Sequence, residues 1–195
     1  ADAVRDADIV VCMLENGTVV GEVLFATDVL QALRTNALVI DMSSIQPTQA
    51  RQHAARLSAR HIDYLDAPVS GGTLGAEQGT LAIMVGGEIT IFEKARHVFQ
   101  PLGKATLVGP QGAGQLAKLA NQMIVGITIG AVAEALLLCE KGGADMSKVK
   151  EAITGGFADS RILQVHGQRM VERDFAARGR MSVQLKDLRN ALATA

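Results

Sequence analysis

Three short apolar runs, Asp8 to Leu14 (DIVVCML), Leu38 to Asp41 (LVID) and a strand within His61 to Asp66, alternate with stretches of helical pattern. The first two are apolar on both faces, which suits strands of a parallel sheet covered by helices on either side. Helices are expected at Thr18 to Leu33 and at Pro47 to about Arg60, where Pro47 fits a first helical turn. Right-handed connections between such strands give half of a doubly wound α/β fold. Further strands are expected at Thr80 to Val85 and Ala105 to Val108, flanking a helix at about Ile89 to Pro101. They extend the sheet, one of them as a candidate antiparallel strand.

Beyond Gly109 to Gly112 the pattern becomes helical: one long helix from Gln111 to Lys141, ended by Gly142-Gly143, then helices at about Met146 to Thr154, Arg161 to Arg173 and Val183 to Ala195. A boundary near residue 110 separates an α/β part from an all-helical part. The chain's 195 residues suffice for one large domain or one and a half smaller ones. With 48% hydrophobic but only 3% aromatic residues, the core must be built from aliphatic side chains.

Nineteen basic against twenty acidic residues leave a net charge of -1, without the basic surplus that nucleic acid or an anionic membrane attracts. The most apolar stretch, Met123 to Cys139, is interrupted by Glu134 and reads as short of a membrane span. Cys12 and Cys139 sit in separate apolar runs, as buried thiols in a reducing compartment do. A soluble, cytoplasmic protein is the expectation. The chain opens at Ala1 in what reads as mid-domain, which leaves open a leader upstream. No His, Cys, Asp and Glu spacing resembles a metal site.

In an open parallel sheet, ligands bind beyond the carboxyl ends of the strands. Three loops qualify: Met13 to Gly17, Asp41 to Ser44, and Asp66 to Gly72. The first two are equally compatible with ordinary turns. In the third, Ser70-Gly71-Gly72 offers backbone N–H groups and a hydroxyl to an anion, as a carboxylate cradle does; a plain glycine turn is the competing reading.

Gly112-Ala113-Gly114 opens the long helix. As a lone GxG it lacks a dinucleotide fingerprint around it, and a close packing contact of the helix explains it better. Lys118 and Asn121 share one helix face, bordered by Gln122, and Lys118 rises from apolar neighbours. Such a lysine either snorkels to solvent or works. Partial burial and the positive end of the helix dipole both lower its pKa, which fits proton exchange with an alkoxide. Lys186-Asp187-Leu188 alone reads as a charged surface pair.

Together, DAPVSGG (Asp66 to Gly72), GTLAIMVGG (Gly79 to Gly87), GAGQLAKLANQ (Gly112 to Gln122) and KDL (Lys186 to Leu188), with DMSSI (Asp41 to Ile45) and Met13, Leu14 and Asn16, resemble the β-hydroxyacid dehydrogenases in order and spacing. The resemblance implies an NAD- or NADP-dependent oxidoreductase acting on a short 2- or 3-hydroxy acid or its semialdehyde. It implies an incomplete dinucleotide-binding Rossmann domain over residues 1–110 and an incomplete all-helical domain over 111–195 for substrate and dimerisation.

By resemblance, Lys118 is the general acid/base and Ser70, Gly71 and Gly72 hold the substrate carboxylate. Asn121 or Gln122 orients substrate, since related enzymes often place the asparagine four positions after the lysine. Met13, Leu14 and Ser44 lie against the nicotinamide, and Lys186 closes over the cofactor. The family's opening strand, its GxGxxG and its selector of NAD or NADP are not in the chain, so this stretch alone is expected to bind cofactor poorly. The long helix, apolar around most of its circumference, should be buried all round, either by further helices or by a second subunit of a homodimer or higher homo-oligomer. A non-catalytic dimerisation or reader module, which loses the lysine, and an imine reductase, which usually replaces it, are the alternatives from other classes.

Overall fold

In the computed structural model, which describes residues 1–195, β1 (Ile9–Cys12), β2 (Leu38–Asp41) and β3 (Asp63–Asp66) form a parallel ladder. Residue Val39 pairs with Val10 on one side and Tyr64 on the other. β2 is buried on both faces because each face meets different helices. Leu38, Ile40 and Leu65 pack with Phe92, Ala95 and Phe99 of α5 (Ile89–Phe99). Val39 and Tyr64 pack with Val20 and Leu24 of α1 (Gly17–Leu24), and with Ala50 and Leu57 of α3 (Pro47–Ser58). The period of two along each strand divides the core into these two layers, and a doubly wound sheet is the result.

The helix expected over Thr18 to Leu33 is two helices. α1 stops at Leu24, and α2 spans Thr27–Ala32 after an extended Ala26 (ψ 136°). No glycine or proline marks the break. Phe25 there turns its ring towards His53, at 5.4 Å between centroids, with the Arg56 guanidinium 3.6 Å above it.

A second correction concerns Asp66 to Gly72. Read as a loop, it contains β4 (Val69–Ser70) and the start of α4 (Gly72–Glu77). β4 pairs antiparallel with β5 (Leu81–Gly86). The pairs Asp66 with Gly86, Val69 with Ile83 and Ser70 with Ala82 keep one register, and the Met84 N–H donates to the Pro68 carbonyl between them at 3.0 Å. β3 and β4 are therefore one chain trace that leaves β2 at Asp66 and continues along β5. Two residues are too few for a sequence pattern to reveal such a strand. β6 (Gly103–Gly109) then pairs parallel with β5.

The chain forms two compact units, residues 1–121 with 189–195, and residues 122–188. α6 (Ala113–Lys141) begins in the first. The second holds α7 (Met146–Ile153), a π-helical turn (Leu163–Gly167) leading into α8 (Gln168–Glu172), and the first two turns of α9 (Met181–Thr194). Its small core is Val132, Leu136 and Leu163, with Met146, Val149 and Met170 around them.

α6 departs from one expectation. Its 29 residues include an 18-residue window of mean hydropathy 1.9, long and apolar enough to cross a membrane by length and composition; the single charge of Glu134 does not break it. Part of its apolar surface is left uncovered within the single chain. Ile124, Ile127 and Leu138 are 67%, 68% and 73% exposed in the single chain. Both cysteines are free; Cys12 is buried and Cys139 only half-buried. Burial, with Asp41 nearby, pushes the Cys12 thiol up to about 12.

Candidate functional site

The first two strand-end loops are bonded to each other. Asn16 caps α1 by accepting the Val19 N–H at 3.1 Å, which fixes the turn after Met13 and Leu14. The Leu14 N–H donates to Ser43 Oγ at 2.8 Å. The Ser43 N–H in turn donates to Asp41 Oδ1 at 3.0 Å, and the Tyr64 hydroxyl donates to Asp41 Oδ2 at 3.1 Å. Asp41 is fully buried; desolvation pushes its carboxyl above the usual range while these donors pull it back. Removing one donor should be felt. Tyr64→Phe is expected to cost about 1–2 kcal/mol, read as a lowered urea midpoint at unchanged slope.

The start of α6 is anchored on the end of β3. Asp66 Oδ1 accepts the Gly112 N–H at 2.7 Å, and Oδ2 accepts the Gln115 N–H at 2.9 Å. A Cβ on Gly114 would lie 2.3 Å from the Met84 carbonyl oxygen and 2.8 Å from that of Asp66. The glycines at the head of this helix thus serve close packing. Asp66 is fully buried, and desolvation pushes its carboxyl up against the pull of the backbone N–H donors.

Gln115, also fully buried, bridges α6 to the loop after β2. Its Oε1 accepts the Ile45 N–H at 2.9 Å and its Nε2 donates to the Ser43 carbonyl at 2.8 Å. Lys118 follows one turn later and is only 9% exposed, so it does not snorkel to water. Asn121 is half-buried on the same face.

Ser70 lies four residues beyond Asp66 on the strand that anchors α6, and pairs with Ala82. Gly71 and Gly72 follow with φ of 144° and 64°, and a Cβ on Gly72 would meet nothing within 4 Å. At Gly71 a Cβ would meet the Leu81 side chain at 3.0 Å, yet both glycines are exposed, so a ligand can reach their backbone. Lys118 and the Ser70 to Gly72 turn belong to the same compact unit and are linked through Asp66. Met13, 58% exposed at the end of β1, and Leu14 and Ser44 beside Ser43 belong to it too. The exposed Met13 side chain at this strand end offers an apolar surface to a flat ring such as nicotinamide.

Residues 1–110 match the family described as the NAD binding domain of 6-phosphogluconate dehydrogenase. Residues 112–195 match that described as NAD-binding of NADP-dependent 3-hydroxyisobutyrate dehydrogenase. A Mycobacterium tuberculosis 3-hydroxyisobutyrate dehydrogenase, solved with L-serine, superposes with a TM-score of 0.87 at 37% identity, over 98% of this chain and 68% of that one. The chain belongs to the β-hydroxyacid dehydrogenase family. Escherichia coli 2-hydroxy-3-oxopropionate reductase is 47% identical over 191 residues, 97% of this chain and 65% of the reductase. A Salmonella typhimurium 3-hydroxyisobutyrate dehydrogenase structure covers all of the chain and 68% of its own, at 28% identity and a TM-score of 0.88.

Two family positions lie in the second unit. The Gln122 Nε2 donates to Asp187 Oδ2 at 2.8 Å and to Gln184 Oε1 at 3.0 Å. Lys186 Nζ lies 3.1 Å from Asp187 Oδ1. Asp187, expected on the surface, is 1% exposed. Gln122 is therefore engaged within its own unit. Sequence reasoning missed Asp66, Gln115 and Asp187 as functional supports, although each stands inside a quoted motif. No group of three or more His, Cys, Asp or Glu side chains is arranged to hold a metal ion.

Proposed function

We propose that the whole protein, of which the chain spans 65% of the length of its Escherichia coli relative, reduces tartronate semialdehyde (2-hydroxy-3-oxopropionate) to glycerate. The observation that carries the reading is Lys118, nine-tenths buried on a helix anchored to the end of β3. An amine shielded from bulk water can exchange its proton directly with a bound substrate. Met13, Leu14 and Ser44 would hold the nicotinamide of NADH or NADPH, which would supply the hydride for the aldehyde carbon. Lys118 gives its proton to the oxygen as the carbonyl becomes an alcohol, and takes it back in the reverse direction. The open backbone of Gly71 and Gly72, with the Ser70 hydroxyl, holds the carboxylate, and the Asn121 amide orients the substrate without adding charge. Lys186, over the cofactor, and Gln122 keep the roles the resemblance implies.

The KLANQ and IDMSSI segments (Lys118 to Gln122 and Ile40 to Ile45) and the 47% identity to the Escherichia coli reductase support this substrate. Likeness to the Mycobacterium tuberculosis enzyme supports the second reading, 3-hydroxyisobutyrate dehydrogenase. Assaying the full-length protein on both substrates decides between them: kcat/KM at least about tenfold higher on tartronate semialdehyde is expected, a difference of about 1.4 kcal/mol in transition-state binding. The reverse order assigns the second reading, and no turnover of either revives a non-catalytic module.

The exposed apolar face of α6 around Ile124 and Ile127 is the contact surface of a homodimer or higher homo-oligomer in this reading. Light scattering on the full-length protein should give at least twice the monomer mass. A monomer would assign that face to further helices of the same chain.

A further inference from the structure

The amide of Gln115 holds the two peptide units that flank Ser44, accepting from the Ile45 N–H and donating to the Ser43 carbonyl. A neighbouring parallel strand would engage this pair of groups in the same way. Ser43 passes the constraint on, since its Oγ accepts the Leu14 N–H. On its other side, the Gln115 backbone N–H is fixed by Asp66. One fully buried side chain thus ties both loops at the ends of β1 and β2 to the helix turn that precedes Lys118.

We propose that Gln115 is a positioning residue: it sets the distance between the Leu14 and Ser44 loops, which face the hydride donor, and the amine that moves the proton. The inference rests on the reading of Lys118 given above. Hydride and proton must reach the two ends of one carbonyl bond, so a loop that drifts relative to the helix spoils the geometry even when both groups are intact. Misplacement by about 1 Å costs on the order of 100-fold in rate.

Two variants of the full-length protein test this. Gln115→Leu keeps the volume and removes both bonds. In the cofactor-free protein, the Ile45 and Leu14 amides should exchange with deuterium at least about tenfold faster, while Ile40 inside β2 stays protected. In the holoenzyme, kcat per folded molecule should fall about 10- to 100-fold, with NADH or NADPH affinity changed far less. Gln115→Glu adds a signature that stability alone does not produce. Its protonated carboxyl can still donate to the Ser43 carbonyl, whereas the ionised form repels it. Its turnover should therefore persist at low pH and fall as the pH rises through a carboxyl ionisation absent from the wild type, a readout that also serves if Gln115→Leu does not fold.

Unchanged kcat in folded Gln115→Leu, or a Gln115→Glu profile superposable on the wild type, overturns the positioning role alone. A wild-type protein without turnover overturns the reading of Lys118, and this role with it.

Discussion

Lys118→Ala in the full-length protein should lower kcat by about 100- to 10,000-fold, with cofactor affinity kept within a few-fold of the wild type. The size follows from the part assigned to the amine. Without it the developing alkoxide takes its proton from water, in a site where the lysine is 9% exposed. Because the interaction grows as charge develops on oxygen, kcat and kcat/KM should fall together. Lys118→Arg should fail nearly as badly, since a guanidinium stays charged at every accessible pH and has no proton to give. Steady-state kinetics on the better of the two substrates, with cofactor titration by fluorescence, is the measurement. Turnover within threefold of the wild type would remove Lys118 from the mechanism.

Gly114→Ala should destabilise the first compact unit by about 3–5 kcal/mol, a large share of what holds a domain together. The added methyl group would stand 2.3 Å from the Met84 carbonyl oxygen and 2.8 Å from the Asp66 carbonyl oxygen. Both obstacles are strand backbone, so neither can swing aside. The helix must lift off the sheet instead, which stretches the Asp66 bonds to Gly112 and Gln115. Two N–H donors and a carboxylate would then be short of partners in a buried setting, the costly case for hydrogen bonding. Urea unfolding should show a midpoint well below the wild type. A variant within 1 kcal/mol of the wild type would mean that the helix start is far more pliable than this packing implies.

Much of the molecule was legible from patterns that are local in sequence. β2 is expected at Leu38 to Asp41 and spans those residues, because a short apolar run closed by a single carboxylate is a local signal of a strand buried on both faces. The packing role of Gly112-Ala113-Gly114 followed from the lack of any phosphate-binding context around it. What stayed hidden depends on residues far apart in the chain. Gln115 meets Ser43 and Ile45 across 72 and 70 positions, and Asp66 meets Gly112 and Gln115 across 46 and 49. No periodicity announces such pairs. Motif order brought Lys118 and Ser70 to notice, yet it could not say that a buried carboxylate lies on the helix end between them. The break at Ala26 escaped because Phe25 leaves the helix to meet His53, a tertiary contact that overrides a continuous helical pattern.

The strand that serves β2 up to Asp66 and β5 from there to Ser70 has its alignment held by two partners in opposite senses. Lengthening it by one residue at Ala67 or Pro68 would leave the upstream half in place. Every side chain downstream would then point to the other surface, carrying the Ser70 hydroxyl with it. Evolution can vary the residues at this corner, but the count between the helix anchor and the serine is fixed by geometry.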